Sequence, residues 1–306
     1  MSVEQIVWVN AANFGDIHVS RELVKYAMAR LPHLKFAYCH RNAPELLRDI
    51  DGLEHWGPER FDLEGNKKKR SVEIDDKTLA LNTWYAVSPL HGINGSGFGM
   101  TLNTLVELFK LHLSKFDLKI TEPIDTFIPT IDFSKFHTSG VDANLGRYAR
   151  YRRRVLFCNG PAMSSQTNVS DEMMNALLLQ LATAHPDVMF FNTTAQFAFE
   201  GYKNIRCSAT VIGTPPWGKC DLNETAYLGS FCDVIVGRCS GPQSFCYNTA
   251  TLLDDLNTMV CLNTDERVAK WVYFSEAAKA KIVWSPEYQL EKLYEVVTHT
   301  LNREKN

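Results

Sequence analysis

The sequence has 306 residues and a formal net charge of −3 at pH 7, with 45% hydrophobic and 22% charged residues. This composition is that of an ordinary globular protein, and the length allows one large or two medium domains. The weakly acidic charge disfavours a protein that coats nucleic acid, because such proteins usually carry a positive excess.

The first residues, MSVEQIVWV, enter a predicted strand directly and lack the basic and apolar regions of a signal peptide. No apolar stretch approaches the ~20 residues needed to span a bilayer. We therefore expect a cytoplasmic protein with at most peripheral membrane contact.

The stretch from residue 6 to residue 25 predicts a buried strand, a turn that contains glycine, and a helix. Residues 6–9 form a short apolar run, which gives way to Asn10, Asn13, Gly15 and Asp16. Ligands of open α/β sheets bind beyond the carboxyl ends of the strands, so chemistry is expected in this turn. Asp16 could act there chemically, or it could simply cap the helix.

The next part of the chain predicts a strand at 34–39 and a short helix at 43–49. A polar segment at 52–76 follows, with the basic run KKKR at 67–70 and little apolar periodicity. We expect a solvated excursion or a hairpin. The lysines could contact an anionic acceptor, or they could simply be exposed.

A predicted strand at 79–87 leads into a glycine-rich stretch and an amphipathic helix. The glycines lack the spacing of the common nucleotide-binding motifs, which favours a flexible loop at an acceptor site. The candidates for lining that acceptor site are Asn82, Trp84 and His91. Core packing is the alternative for Trp84.

Proline and glycine interrupt the pattern from 121 to 151, which indicates a domain boundary near 150. A second strand-turn-helix-strand plan then begins, with a strand at 155–158 and a helix at 171–184 that Ser170 caps. We predict an α/β protein with two Rossmann-like domains, 1–150 and 151–285, facing each other across a cleft. A C-terminal helix at 286–306 is expected to pack back on the N-terminal domain. No G-x-G-x-x-G fingerprint follows either first strand, which disfavours a nicotinamide-dependent dehydrogenase.

Two segments resemble ADP-heptose:lipopolysaccharide heptosyltransferases. NFGDIHVSREL at 13–23, followed by a helix ending in LP and the strand FAYCH, is similar to the N-terminal motif of that family. The stretch 221–248 resembles its donor-binding region, with Ser240 and Gly241 in the places of a Thr-Gly pair and Cys239 in the place of an Asp. The resemblance implies a GT-B fold with the acceptor at the first domain and a nucleotide sugar at the second. It also implies that Asp16 is the general base.

The resemblance and the positions of strand ends together give the residues expected to contact substrate or donor: Asn13, Gly15, His18, Asn159, Gly160, Asn192, Thr193, Glu224, Arg238, Ser240, Gly241 and Pro242. Arg238 could meet a pyrophosphate or form a surface salt bridge. Glu224 could approach a ribose hydroxyl or stabilise a helix N-terminus.

The leading hypothesis is a metal-independent, inverting glycosyltransferase without a cofactor, active in polysaccharide biosynthesis. Its predicted partners are a nucleoside-diphosphate sugar and a glycan or a lipopolysaccharide-like glycolipid acceptor. The alternatives are a catalytically inert GT-B-like binding module and another nucleotide-sugar enzyme such as an epimerase. Cys232, Cys239 and Cys246 recur every seven residues and could bind a metal ion, but buried reduced thiols are the preferred interpretation.

Overall fold

The computed structural model describes residues 3–90, 102–160, 169–194, 199, 201–214, 221–238, 240–262 and 278–303. Its strands are β1 (Gln5–Val9), β2 (Lys35–Cys39), β3 (Leu53–Trp56), β4 (Ser71–Glu73), β5 (Thr78–Asn82), β6 (Arg153–Cys158), β7 (Val188–Asn192), β8 (Ile205–Cys207), β9 (Val234–Gly237), β10 (Thr258–Leu262) and β11 (Lys281–Ser285).

The α-helices are α1 (Phe14–Val19), α2 (Arg21–Arg30), α3 (Leu63–Asn66), α4 (Leu102–Leu113), α5 (Ser139–Leu145), α6 (Asp171–Ala184), α7 (Ser208–Ile212), α8 (Leu222–Ser230), α9 (Gly241–Phe245), α10 (Thr249–Leu252) and a C-terminal helix (Leu290–Asn302). Short 3-10 helices lie at Pro44–Leu47, Tyr85–Val87, Ser114–Phe116, Ile124–Phe127, Phe133–Lys135 and Gly146–Tyr148. None of the helices in these described ranges is both long and apolar enough to cross a bilayer.

The N-terminal sheet has the strand order β3-β2-β1-β5-β4, and β4 is its antiparallel member. β1 pairs in parallel with β2 and β5, so Val9 stands opposite both Cys39 and Asn82. Both faces of β1 are covered, since Trp8 stacks on Phe109 of α4 at 4.8 Å while Val9 packs in the core of the opposite face. This double burial explains why β1 is an uninterrupted apolar run.

The C-terminal sheet is parallel throughout, with the order β11-β10-β9-β6-β7-β8. Helix α6 and the C-terminal helix bury their apolar stripes in one core cluster with this sheet. In each sheet, the strand that comes first in the chain, β1 or β6, lies inside the sheet. Later strands lie on both sides of it, so the strand order reverses there. The predicted fold class, α/β with two Rossmann-like domains, is confirmed.

The segment 52–76 differs from its prediction as a solvated excursion or hairpin. It contains β3, which pairs in parallel with β2, and β4, which pairs antiparallel with β5. Both are edge strands, and β3 carries polar Glu54 and His55 between Leu53 and Trp56. Most side chains of β3 and β4 are exposed or only partly buried, so these strands lack the continuous apolar run by which buried parallel strands are recognised.

The contacts between Cα atoms divide the chain between Thr130 and Ile131, whereas the sequence predicted a boundary at 150. Residues just after Thr130 join the second unit, since Phe133 packs on Tyr227 with ring centroids 5.0 Å apart. The C-terminal helix also differs from its predicted packing. Its buried Leu293, Val297 and Leu301 lie in the core of the second unit with α6. Their spacing of four residues forms the single apolar stripe that this packing uses.

Gly140 on α5 allows that helix to approach α7 closely. A Cβ at this position would collide with the carbonyl oxygen of Ile212, which belongs to the backbone and cannot rotate away. We expect Gly140→Ala to lower the free energy of unfolding by about 1–3 kcal/mol, because the two helices must separate. Urea unfolding measures this change.

Gly146→Ala is the matched control for this substitution. Its Cβ would meet nothing within 4 Å, and its backbone is already right-handed helical. We expect a gain of about 0.4–1 kcal/mol, because alanine restricts the unfolded chain. If the two variants unfold at the same urea concentration, the close approach of α5 to α7 does not exclude a side chain at position 140.

Candidate active site

The Asp16 carboxyl lies in the first turn of α1, directly beyond the carboxyl end of β1. Its Oδ2 accepts the backbone N–H of Asn13 at 3.1 Å, which is the capping contact that the sequence allowed. Its Oδ1 is buried and has no hydrogen-bond partner among the described residues. Burial raises the pKa of this carboxyl from 3.8 to about 7, against the lowering effect of the Asn13 and Asp16 backbone amides. A carboxyl with this pKa can accept a proton near neutral pH.

Four buried polar residues surround the base of this turn. Asn10 Nδ2 donates to Thr83 Oγ1 at 3.0 Å, and the Tyr38 hydroxyl lies 2.6 Å from Thr83 Oγ1 and 2.9 Å from Ser20 Oγ. Asn10 and Thr83 directly follow β1 and β5. Tyr38 is the second-last residue of β2, and Ser20 directly follows α1. The sequence interpretation did not identify Ser20, Tyr38 or Thr83. Tyr38 lies near the end of the strand predicted at 34–39, which was a usable signal, whereas Thr83 fell in the middle of the strand predicted at 79–87 and gave none.

The other predicted residues near Asp16 have different surroundings. Asn13 is exposed and Gly15 is half-buried, whereas His18 is fully buried on the inner face of α1 beside Ile17 and Val19. His18 was predicted to contact substrate or donor, and its side chain has no exposed surface here. The helical period that buries Ile17 and Val19 also turns this side chain inward.

Asn82, which was predicted to line an acceptor site, holds neighbouring backbone groups through its side chain. Its Nδ2 donates to the carbonyl oxygens of Lys67 and Lys69 at 3.1 and 3.0 Å, and its Oδ1 accepts the Trp84 N–H at 2.8 Å. The residue is only 2% exposed. Trp84 is half-buried, and His91 lies outside the described residues.

In the second unit, the ends of three adjacent strands bring predicted donor residues to one edge of the sheet. Asn159 and Gly160 follow β6, Asn192 ends β7 with Thr193 beyond it, and the turn 240–242 follows β9. The strand order reverses between β6 and β9, which is where ligands bind in open α/β sheets. A Cβ on Gly160 would lie 3.6 Å from the Pro242 ring, so these two loops are neighbours.

This edge carries buried polar atoms that the described residues leave without hydrogen bonds: Asn192 Oδ1, Thr193 Oγ1, Asn175 Nδ2 and Ser240 Oγ. Asn175 is also the partner of Asn159, whose Nδ2 donates to its Oδ1 at 2.6 Å. Buried polar groups in native proteins are nearly always satisfied. The cluster therefore fits a polar ligand or ordered water that both donates and accepts hydrogen bonds.

Arg238 is neither a free cation nor a surface salt bridge. Its side chain is 3% exposed, and it forms an ion pair with Asp171 at the start of α6. It also donates to the carbonyl oxygens of Gly160, at 3.0 Å, and of Val169. Arg238 therefore ties both ends of the β6–α6 connection to the end of β9. These contacts use both terminal nitrogens of the guanidinium, for which the sequence left open a pyrophosphate or a surface salt bridge.

Glu224 is likewise internal, with no exposed surface. Its Oε1 accepts the backbone N–H of His137 at 3.2 Å. This contact fixes the chain before α5. Glu224 also lies in the first turn of α8, which matches the suggested role at a helix N-terminus. The described thiols of Cys158, Cys232, Cys246 and Cys261 are buried and reduced. Burial and the neighbouring Cys246 raise the pKa of the Cys158 thiol well above its usual value.

No group of three or more His, Cys, Asp or Glu suited to a metal ion occurs in the described ranges. The hypothetical cysteine site includes Cys239, which lies outside those ranges.

Comparisons with known proteins place this chain by its fold. It is similar to the structure of E. coli heptosyltransferase WaaC with ADP at a TM-score of 0.55 and 10% sequence identity, over 97% of this chain and 98% of that one. A glycosyl transferase family 9 structure from Veillonella parvula DSM 2008 has a TM-score of 0.46 and 13% identity, over 100% and 91% of the two chains. No protein-family model matches the sequence. No curated protein is significantly similar to it.

At this identity the similarity concerns the fold. The predicted GT-B-like fold and its resemblance to heptosyltransferases are confirmed at that level. The similarity extends over nearly the whole of both chains, so it includes both Rossmann-like sheets and is not limited to the two short motifs.

Proposed function

We propose that this protein is a metal-independent glycosyltransferase. It transfers a sugar from a nucleoside diphosphate to a hydroxyl of a glycan or lipopolysaccharide-like acceptor, with Asp16 as the general base. The observation that carries this proposal is the half-satisfied Asp16 carboxyl at the end of β1, whose burial raises its pKa to about 7. The GT-B-like fold supports the reaction class by analogy.

In the proposed reaction, Asp16 removes the proton of the acceptor hydroxyl as its oxygen attacks the anomeric carbon of the sugar. The bond from that carbon to the diphosphate oxygen breaks, and its electron pair leaves with the nucleoside diphosphate. Direct displacement inverts the anomeric configuration. A carboxylate with an ordinary pKa of ~3.9 is a weak base, so the raised pKa is what suits Asp16 to this step.

The donor is proposed to bind at the edge of the C-terminal sheet. Ser240 Oγ, Thr193 Oγ1 and Asn192 Oδ1 are there, buried and without partners in the described part of the chain. A nucleoside diphosphate presents phosphate acceptors together with sugar and base donors, which fits this mixture of hydroxyl and amide groups. The similar structure of E. coli heptosyltransferase WaaC is one with ADP, which supports a nucleotide as the ligand.

Thermal stabilisation by nucleoside diphosphates tests the donor site. A nucleotide at 100 times its dissociation constant is expected to stabilise the protein by about 2.7 kcal/mol, because it binds only the folded state. Differential scanning fluorimetry with ADP, GDP, UDP and CDP, each with and without EDTA, measures this effect and its independence of divalent metal.

Ser240→Val should weaken the stabilising nucleotide about tenfold or more, because it removes the buried hydroxyl while keeping a similar volume. Ser230→Val, at the end of α8, is the control, because among the described residues the Ser230 hydroxyl donates to the Tyr227 carbonyl alone. A donor site at this edge is wrong if no diphosphate stabilises the protein. A binding module would instead show stabilisation by a nucleotide sugar without transfer to any acceptor, in the wild type and in Asp16→Asn alike.

A further inference from the structure

A chain of buried hydrogen bonds runs beneath Asp16. Ser20 Oγ donates to the carbonyl oxygen of Ile17 at 2.8 Å. The Tyr38 hydroxyl lies 2.9 Å from Ser20 Oγ and 2.6 Å from Thr83 Oγ1, and in each pair either oxygen can be the donor. Thr83 Oγ1 also donates to the carbonyl oxygen of Val9 at 3.4 Å.

Asn10 closes this chain at its other end. Its Nδ2 donates to Thr83 Oγ1 at 3.0 Å, and its Oδ1 accepts the backbone N–H of Ala12 at 2.8 Å. The side-chain contacts thus begin on the backbone of Ala12 and end on the backbone of Ile17. Asp16 lies between these two anchored points.

The four side chains are buried, with Asn10, Ser20 and Thr83 at 0% and Tyr38 at 1% exposure. They join the ends of β1, β2 and β5 to the junction of α1 and α2. Tyr38 is the central member, because its hydroxyl contacts both Thr83, which follows β5, and Ser20, which follows α1. Burial raises the pKa of Tyr38 to about 12, so the hydroxyl keeps its proton at neutral pH.

We propose that Tyr38 is a positioning residue for the transfer reaction, which holds the segment from Ala12 to Ile17 so that the Asp16 carboxyl stays partly shielded from water. This inference rests on the proposed function for its catalytic meaning. Its physical content is independent of turnover, because it concerns the position and solvation of one carboxyl.

The test compares Tyr38→Phe with Tyr247→Phe. Both substitutions remove one hydroxyl from a buried tyrosine, and the Tyr247 hydroxyl bonds Cys261 Sγ at 2.9 Å in the other unit. The readouts are the Asp16 carboxyl titration by 13C NMR, assigned with Asp16→Asn, and the steady-state kinetics of sugar transfer.

We expect Tyr38→Phe to lower the pKa of Asp16 by about one unit, because the loosened segment admits water and desolvation is what raises that pKa. We expect kcat to fall about tenfold or more, with KM for the donor unchanged within twofold. Tyr247→Phe should leave the Asp16 titration and kcat as in the wild type, although both variants lose some thermal stability.

The inference is wrong if Tyr38→Phe behaves like Tyr247→Phe, with lower stability but an unmoved Asp16 titration. Its failure is distinguishable from that of the proposed function. If the wild type transfers no sugar but Tyr38→Phe still shifts the Asp16 titration, the positioning stands and the reaction assignment fails. If the wild type transfers sugar and the titration is unmoved, the reaction stands and the positioning role fails.

Discussion

Asp16→Asn is expected to lower the rate of sugar transfer about 100- to 10,000-fold, the range that a positioned general base contributes. Asparagine keeps the size of the side chain and an oxygen that can accept the Asn13 N–H, so the fold should be retained. What it loses is the ability to take a proton from the acceptor hydroxyl. Single-turnover transfer from a radiolabelled donor measures the loss, and nucleotide binding should stay within about twofold of the wild type.

The control for this variant is Asp76→Asn, which makes the same chemical change at an exposed carboxylate of the same unit. It should leave transfer unchanged. An Asp16→Asn protein that transfers sugar at more than about a tenth of the wild-type rate would remove Asp16 from the mechanism, whatever happens to stability.

The same carboxyl determines the expected dependence on pH. The base must be deprotonated, so kcat/KM should rise with pH and reach half of its maximum near the pKa of about 7. The free energy of unfolding should instead fall as pH rises, because the folded state holds a proton on Asp16 that the unfolded chain releases above a pKa near 3.8. The stabilisation by this proton is fully present below pH 4 and is lost as pH rises through 7.

A pKa difference of this size corresponds to about 4 kcal/mol at most. Asp16 is partly and not completely buried, so screening by solvent reduces this difference to about 1–3 kcal/mol. Asp16→Asn should therefore be more stable than the wild type at pH 8 and nearly equal to it at pH 4. Thermal melts of both proteins at the two pH values measure the difference.

Replacing Arg238 is expected to destabilise the second unit by about 2–3 kcal/mol, even when the replacement is lysine. The guanidinium reaches the Asp171 carboxylate and two backbone carbonyl groups at once, and a lysine ammonium has no planar fork with which to do so. Removing one partner of a buried pair commonly costs 3–5 kcal/mol. We expect the lower loss of about 2–3 kcal/mol here, because Asp171 is 48% exposed and water can hydrate it once Arg238 is removed.

Arg238→Lys separates two roles for this residue. If Arg238 clamps the β6–α6 connection, the lysine variant melts at a lower temperature without ligand and approaches Arg238→Met in stability. If Arg238 binds the donor diphosphate directly, the lysine variant keeps its melting temperature and most of its nucleotide affinity. Arg147→Lys, at an exposed arginine of the same unit, controls for the change of residue type and should leave both values unchanged.

The elements with local signals were predicted well from the sequence. Helix α6 spans 171–184 as expected, and Ser170 caps it by accepting the Met173 N–H at 3.2 Å. Its apolar period and its cap lie within the same few residues, so the sequence contains both. The buried strands β1 and β6 were likewise visible as short apolar runs.

The features that the sequence did not reveal depend on which strands become neighbours. Tyr38 and Thr83 are 45 residues apart, and their contact exists only because β2 and β5 flank β1. Arg238 meets Asp171 because β9 lies beside β6. Neither contact can be predicted from the spacing of residues along the chain. A polar residue at the end of a strand can therefore be recognised as important before its partner can be known.

The basic run 67–70 precedes β4, the short strand at the outer edge of the N-terminal sheet. Its side chains are exposed, and backbone carbonyl groups of Lys67 and Lys69 are held by Asn82. The open edge of a strand can pair with a strand of another chain, and a three-residue strand next to exposed lysines resists such pairing. We expect replacement of Lys67, Lys68 and Lys69 by Gln to increase aggregation, which light scattering measures.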